Sequence, residues 1–262
     1  MTRLVRSELF KLRTTPGPWI LLVIDMVACG LFLLIPFHQA GSLTGGGYAA
    51  PSTVQDLRDM LGVGYEAALF LAPIIGVLSV TGEYRHKVLT TTLLFSPRRA
   101  DVLTAKAIAS ILWGLLLGLG SFVVVGAEGL SWFAADGGSF SSLAHQIVPV
   151  VPGVLGAFAL LALFGVGIGV LVKNQVAGVL VTIGGTIIVE QLLVALFQNV
   201  FHMDLNWLPS EASAALVGGV FNGRATGAGR LLSWWAGGLA LLAWGVVPGV
   251  LGYFTTFRRD VT

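Results

Sequence analysis

The sequence is short of charge. Only 11% of its 262 residues are Asp, Glu, Lys or Arg, while 55% are hydrophobic, and the mean hydropathy is +0.87. A soluble domain carries about 25% charged residues, so this composition excludes a wholly water-facing surface. Cysteine is almost missing. Cys29 stands alone inside the first apolar run, which rules out an intrachain disulfide and a cysteine-rich metal site. Catalytic signatures are absent too: there is no G-x-x-x-x-G-K-[ST] phosphate loop and no H-E-x-x-H zinc motif. His38, His86, His145 and His202 fall in loops or at the edges of apolar runs, on opposite sides, and cannot build one metal site. No serine inside a run has a histidine at its depth to act as base. The stretch Gly165-Val166-Gly167-Ile168-Gly169 follows no strand and lies in an apolar run, so close helix packing accounts for it and a nucleotide loop does not. No metal, cofactor or nucleic-acid partner is expected of this chain itself.

What the sequence has is long apolar runs. A spanning helix needs roughly 20 mostly apolar residues, and six such runs lie near 17–37, 60–81, 104–127, 147–172, 176–198 and 233–254. The fourth and fifth are separated only by Lys173-Asn174-Gln175. Unbroken, 147–198 would be a helix of about 78 Å at ~1.5 Å per residue, too long for one crossing, so the tripeptide is read as a tight turn. Basic residues set the orientation. With the N-terminus inside, the inner segments hold Arg3, Arg6, Lys11, Arg13, Arg85, Lys87, Arg98, Arg99, Lys106, Lys173, Arg258 and Arg259, and the outer loops only Arg58, Arg224 and Arg230. Such an excess in short cytoplasmic loops is the expected bias. Both termini are therefore expected on the cytoplasmic side of the membrane. The first run is too long for a signal peptide, Asp25 interrupts it, and His38-Gln39-Ala40 is a poor cleavage site, so it is expected to be retained.

Between the runs, three segments carry more than topology. Residues 2–13 place Leu4, Val5, Leu9 and Leu12 on one helical arc and Arg3, Arg6, Lys11 and Arg13 on the other, an amphipathic pattern that suits the inner membrane surface. Glu8 falls within the apolar arc and Phe10 on the basic face, against the pattern; Pro16 and Pro18 end this helix. The inner loop over 82–103 has two basic clusters around an apolar stretch, Val88, Leu89, Leu93 and Phe95, terminated by Pro97. Topology needs only the charges. A short helix with an apolar face needs something to cover it, either the membrane surface or a protein partner. The longest outer segment, 199–232, contains Asn206-Trp207-Leu208-Pro209-Ser210 and then Glu211 to Val217, a short helix expected to be capped by Ser210. It is apolar enough to re-enter the membrane, where protein must satisfy its backbone. Trp207, Trp234 and Trp235 suit an interfacial belt. Glycines recur at four-residue spacing, Gly114 and Gly118, Gly165 and Gly169, Gly245 and Gly249, which lets helices approach closely.

Taken in order, Arg6-Ser7-Glu8-Leu9-Phe10-Lys11-Leu12-Arg13-Thr14, the loop from Glu83-Tyr84-Arg85-His86 to Pro97-Arg98-Arg99 with Lys106 beyond, and Leu208-Pro209-Ser210 make the chain resemble the permease subunit of an ATP-binding-cassette exporter. The likeness is to the six-helix group that includes multidrug and lantibiotic-immunity transporters, actinobacterial members above all, and it covers essentially the whole chain. It implies an all-α polytopic protein, one transmembrane domain over 1–262, with an interfacial helix (1–16), a coupling loop (82–103) and an outer, re-entrant segment (199–232) before the last of six spans. It implies a separate cytoplasmic ATPase subunit that binds the ATP and magnesium, and a second permease chain, identical or related, among membrane lipids. Glu83, Tyr84, Arg85, Leu89, Leu93, Pro97, Arg98 and Arg99 are the residues it places at the ATPase. The cargo it implies is an amphipathic or lipid-like compound: a drug, a peptide antibiotic or a lipid.

Acidic residues at membrane depth are costly and face a cavity or a partner. Here they are Asp25, Glu66 and Glu190. Gly178, Thr182, Thr186 and Glu190 share one helix face, readable as a hydrogen-bonding stripe between helices or as the lining of a path. Glu66, Thr182, Thr186 and Glu190 are therefore candidates for a translocation path or a chain interface. Asp25 has no partner evident in the sequence. Two rivals stay open at this point: a proton-driven secondary transporter using Asp25, Glu66 or Glu190, and a non-transporting immunity or assembly protein.

Overall fold

The computed structural model describes residues 1–40, 54–85, 99–135, 150–217 and 232–257. Among these, every regular element is helical. They are α1 (Thr2–Thr14), α2 (Pro16–Ala40), α3 (Val54–Arg85), α4 (Arg99–Ala135), α5 (Val150–Val172), α6 (Gln175–Phe201), α7 (Pro209–Val217) and α8 (Trp234–Gly252), which runs on as a π-turn over Tyr253–Phe257. Four helices among the described residues, α4, α5, α6 and α8, are long and apolar enough to cross a bilayer, and α1 with α2 makes a fifth if that bent pair is one span. Six were expected. The runs outside this count are in α2 and α3, which adjoin the undescribed 41–53; the first half of α3 also carries Asp56, Arg58, Asp59 and Glu66.

Local sequence explains the breaks. α1 and α2 meet at 66° because Pro16 pushes the preceding residue out of the helical region: Thr15 is extended, with φ −87° and ψ 142°. The expected break is thus at Thr15, and Pro16 and Pro18 open α2. The turn between α5 and α6 is where the polar tripeptide puts it. Lys173 takes φ 55°, and Asn174 caps α6 by accepting from the amides of Val176 and Ala177 at 3.0 and 3.2 Å.

α5 is the axis of the bundle. It buries residues on all sides, including Ala157, Phe158, Leu161, Ala162, Val166 and Val170. Its neighbours come close because glycine lies at the crossings. A Cβ at Gly165 would overlap the Pro73 carbonyl of α3, and one at Gly76 the Ala162 carbonyl of α5. At Gly114 of α4 a Cβ would lie 2.6 Å from the Phe158 oxygen, and at Gly167 it would lie 2.5 Å from that of Gly245 in α8. Of the glycines noted in the sequence, Gly114, Gly165, Gly169 and Gly245 therefore meet the backbone of a neighbouring helix, and Gly118 meets the side chains of Leu155 and Phe158; Gly76 is an addition. α7 is wedged against α5 and α8: Cβ atoms at Gly153 and Gly237 would each lie 2.5 Å from carbonyls of Leu216 and Ala212. The outer face of the bundle is apolar, with Val23, Val27, Val123, Leu180, Leu192, Val247 and many others exposed. So much exposed apolar surface belongs against lipid or another chain.

Candidate functional site

At the end where α3 stops, α4 starts and α5 turns into α6, four charged side chains meet. Glu8 and Lys11 come from α1, Glu83 from the last turn of α3, and Lys106 from the second turn of α4. Lys11 Nζ donates to Glu8 Oε1 at 2.6 Å and to Glu83 Oε1 at 2.8 Å. Lys106 Nζ lies 2.8 Å from Glu8 Oε2 and 2.8 Å from Glu83 Oε1, and it donates to the Ser79 carbonyl at 3.0 Å. The hydroxyl of Ser110 adds a bond to that of Ser79 at 3.0 Å. Glu8, Glu83 and Lys106 are 6, 8 and 2% exposed, so the group is desolvated, and its formal charge is zero. Burial by itself would raise the Glu83 carboxyl; Lys106 beside it, with hydrogen bonds from Lys106 and Lys11, outweighs that and holds it below its ordinary value. Burial by itself would lower Lys11; its bonds to Glu8 and Glu83 outweigh that and hold it above its ordinary value. Both shifts favour the charged pair.

This cluster explains a misfit in the sequence. Glu8 lies in the apolar arc of α1 because that arc, which buries only Glu8 and Leu12, faces the bundle, and Lys106 waits there. Phe10, the other misfit, is 67% exposed. Glu83, expected at an ATPase contact, is turned inward. Arg85 is exposed and donates to the side chain of Gln175 at 3.2 Å, tying the end of α3 to the start of α6. Tyr84 packs with Val80, Val166 and Val170, and Arg99 opens α4. Leu89, Leu93, Pro97 and Arg98 lie outside the described residues.

Along α6, from the turn toward the opposite end, Gly178, Thr182, Thr186 and Glu190 are the buried residues, and the face they form is turned into the chain's own bundle. The Thr182 and Thr186 hydroxyls donate back to the carbonyls of Gly178 and Thr182 at 2.7 and 3.0 Å. Glu190, 3% exposed, accepts from the Ser210 amide at 2.8 Å and from its hydroxyl at 2.6 Å. This corrects one expectation. α7 begins at Pro209, so Ser210 is inside the helix and does not cap it; a carboxylate from α6, 20 residues back in sequence, takes that place. Proline suits the first helical position, and a carboxylate there also meets the positive end of the helix dipole. A π-turn at Gly185–Val189 immediately precedes Glu190. Trp244 Nε1 donates to the Trp207 carbonyl at 2.8 Å and the two indoles stack, so α7 is pinned by α8 as well.

Asp25 has a partner the sequence could not reveal. It is fully buried, and Ser121 of α4 donates to its Oδ2 at 2.5 Å. Glu66 lies in the half of α3 whose side chains are outside the described residues. An apolar groove of about 290 Å³ opens at the α1 end between α4, α5 and α8, lined by Leu103, Ala107, Val166, Gly249 and Tyr253 among others.

A family model described as ABC-2 family transporter protein matches residues 4–189, which is more than two thirds of the chain and includes all four residues of the charged cluster. Glu190 and α7 lie beyond the matched stretch. No curated protein matches the sequence.

Proposed function

The chain belongs to the ABC-2 transporter family, and on that premise we propose how this multi-pass permease subunit engages the ABC ATPase that such permeases work with. The loop between α3 and α4 docks on the ATPase. Its exposed flank at Arg85 and the apolar residues Leu89 and Leu93 make the contact, with Tyr84, Pro97, Arg98 and Arg99 shaping it, and Glu83 holds the stem from within. The observation that carries this is the buried cluster. It fixes the stems on both sides of the loop, Glu83 before it and Lys106 after it, to one another and to α1. A loop that only connected two spans would not need three buried charges, with Lys11 beside them, at its base.

In the same reading the chain spans the membrane six times as one domain, α2 and α3 included, with α1 on the cytoplasmic surface and both termini inside a bacterial plasma membrane. The ATPase binds ATP and magnesium. Transport is outward, and the cargo is an amphipathic or lipid-like compound; the apolar groove beside α4 and α8, at the proposed inner-leaflet level, suits an apolar tail. A second permease chain, identical or related, meets the exposed apolar side of α6, around Leu180, Ile188, Leu192 and Leu196; Thr182, Thr186 and Glu190 stand behind that surface, and Glu66 belongs with them to the translocation path or the chain interface.

The test is Leu93→Asp. A central anchor in such an interface is worth more than about 2 kcal/mol, so the variant should insert normally yet lose the ATPase on purification. Undiminished co-purification would remove the loop from the docking role.

A further inference from the structure

We infer that the Glu8–Lys11–Glu83–Lys106 cluster makes α1 a moving part of the coupling element, with Lys106 as the positioning residue that holds it there; this rests on the loop between α3 and α4 being the ATPase dock. An ammonium has three hydrogens to give, and the three acceptors of Lys106 are on two other helices: Glu8 on α1, and Glu83 at the end of α3 with the Ser79 carbonyl one turn further back. The residue is 2% exposed, so it has no donor left for a ligand and no water to fall back on. Glu83 Oε1 is shared between Lys106 and Lys11. A displacement of the α3 and α4 stems together therefore either breaks the bonds that Glu8 and Lys11 make to them or carries α1 along.

The mechanics of α1 fit the second course. The covalent tie to α2 is a sharp bend at Thr15–Pro16, not a continuous helix. Only Glu8 and Leu12 of α1 are buried, so its attachment to the bundle is narrow: the charged cluster, with Leu12 and the partly buried Leu9 against the core beside it. Beyond the bend, α2 reaches α4 again through Asp25 and Ser121. Displacement of the loop is thus delivered to α1 at one end and to the first span through the bend.

The experiment uses the purified permease–ATPase complex with Cys29→Ala, carrying spin labels at Ser7 and Met203, which are exposed on α1 and beyond α6 respectively. A second pair, at Val88 and Met203, follows the loop itself. Distances are compared without nucleotide and after trapping with magnesium, ATP and vanadate. In the wild type both pairs should shift. The neutral variant Glu8→Gln/Glu83→Gln/Lys106→Met keeps the volume of the site without leaving a buried charge, so it should fold, and its complex should stay intact. In it the Val88 pair should still shift and the Ser7 pair should not; Lys106→Arg should retain both. A full Ser7 shift in the neutral variant, or a stationary Ser7 in the wild type while Val88 moves, would overturn the inference and leave the docking reading standing. Absence of any Val88 shift, with normal co-purification of Leu93→Asp, would overturn the docking reading and this inference with it.

Discussion

Replacing Lys106 with methionine removes one ammonium from a site where nothing can take its place. Glu8 and Glu83 remain, 6 and 8% exposed, and share only Lys11, whose side chain is 40% exposed. Methionine fills the stem volume, so cavity formation contributes little. What remains is a buried negative charge with half its former compensation, which typically costs about 3–5 kcal/mol. At roughly 2–4 °C per kcal/mol for a chain of this size, the melting temperature in detergent should fall by about 6–20 °C. Lys11→Met, which removes the half-exposed member, should cost less than about 1 kcal/mol. The pH dependence distinguishes charge from packing. The folded Glu83 carboxyl titrates below its ordinary value, so the stability it supplies is present above its unfolded pKa and is lost as pH falls through the folded value. The gap between wild type and Lys106→Met should therefore be widest near neutral pH and narrow in acid, as the Glu83 carboxyl protonates. A loss below about 1 kcal/mol, or one that is the same at pH 4 and pH 8, would refute the assignment of the cluster as a buried ion-pair network.

Other predictions follow from the contacts above. Glu190→Leu removes the carboxylate at the start of α7 and should lower stability by about 0.5–2 kcal/mol, the usual range for a lost helix cap, as read by thermal unfolding, while Glu190→Gln should retain most of it. Gly165→Val should prevent α3 and α5 from closing and abolish stable expression, whereas Gly17→Ala, where a Cβ meets nothing within 4 Å, should be harmless. In a Cys29→Ala background, single cysteines at Asp136 or Arg224 should react with an impermeant thiol reagent in intact cells and those at Lys87 or Lys173 should not; labelling at Lys87 would reverse the orientation.

Helices were legible where a repeated local pattern dictates them. The Lys173-Asn174-Gln175 turn, the break ahead of Pro16 and the four-residue spacing along α6 all follow from steric and capping rules that act within a few residues. The buried face of α6 is the set of residues the spacing picked out. Long-range pairs were not legible. Nothing in the sequence joins Glu8 to Lys106, 98 positions apart, or Asp25 to Ser121, 96 apart; only the misfit of Glu8 on an apolar arc hinted that a cation lay opposite. Charge counting places Lys106 on the inner side and the family likeness places Glu83 at a partner, and neither carries information on which way a side chain points. Ser210 was misplaced for a related reason: a capping residue is recognised by local sequence, and here the cap comes from another helix.

On this reading the loop between α3 and α4 is where the permease meets its ATPase. Photo-crosslinking tests it most directly. A photoreactive amino acid at Leu89 or Leu93, introduced in cells that co-express the ABC ATPase, should give on irradiation an adduct containing both chains, identified by mass spectrometry of the shifted band. The same probe at Leu239, exposed on α8 near the proposed outer end, should give none. Crosslinks from Leu89 and Leu93 confined to lipid or to the permease itself, in a complex whose ATPase co-purifies, would contradict the account.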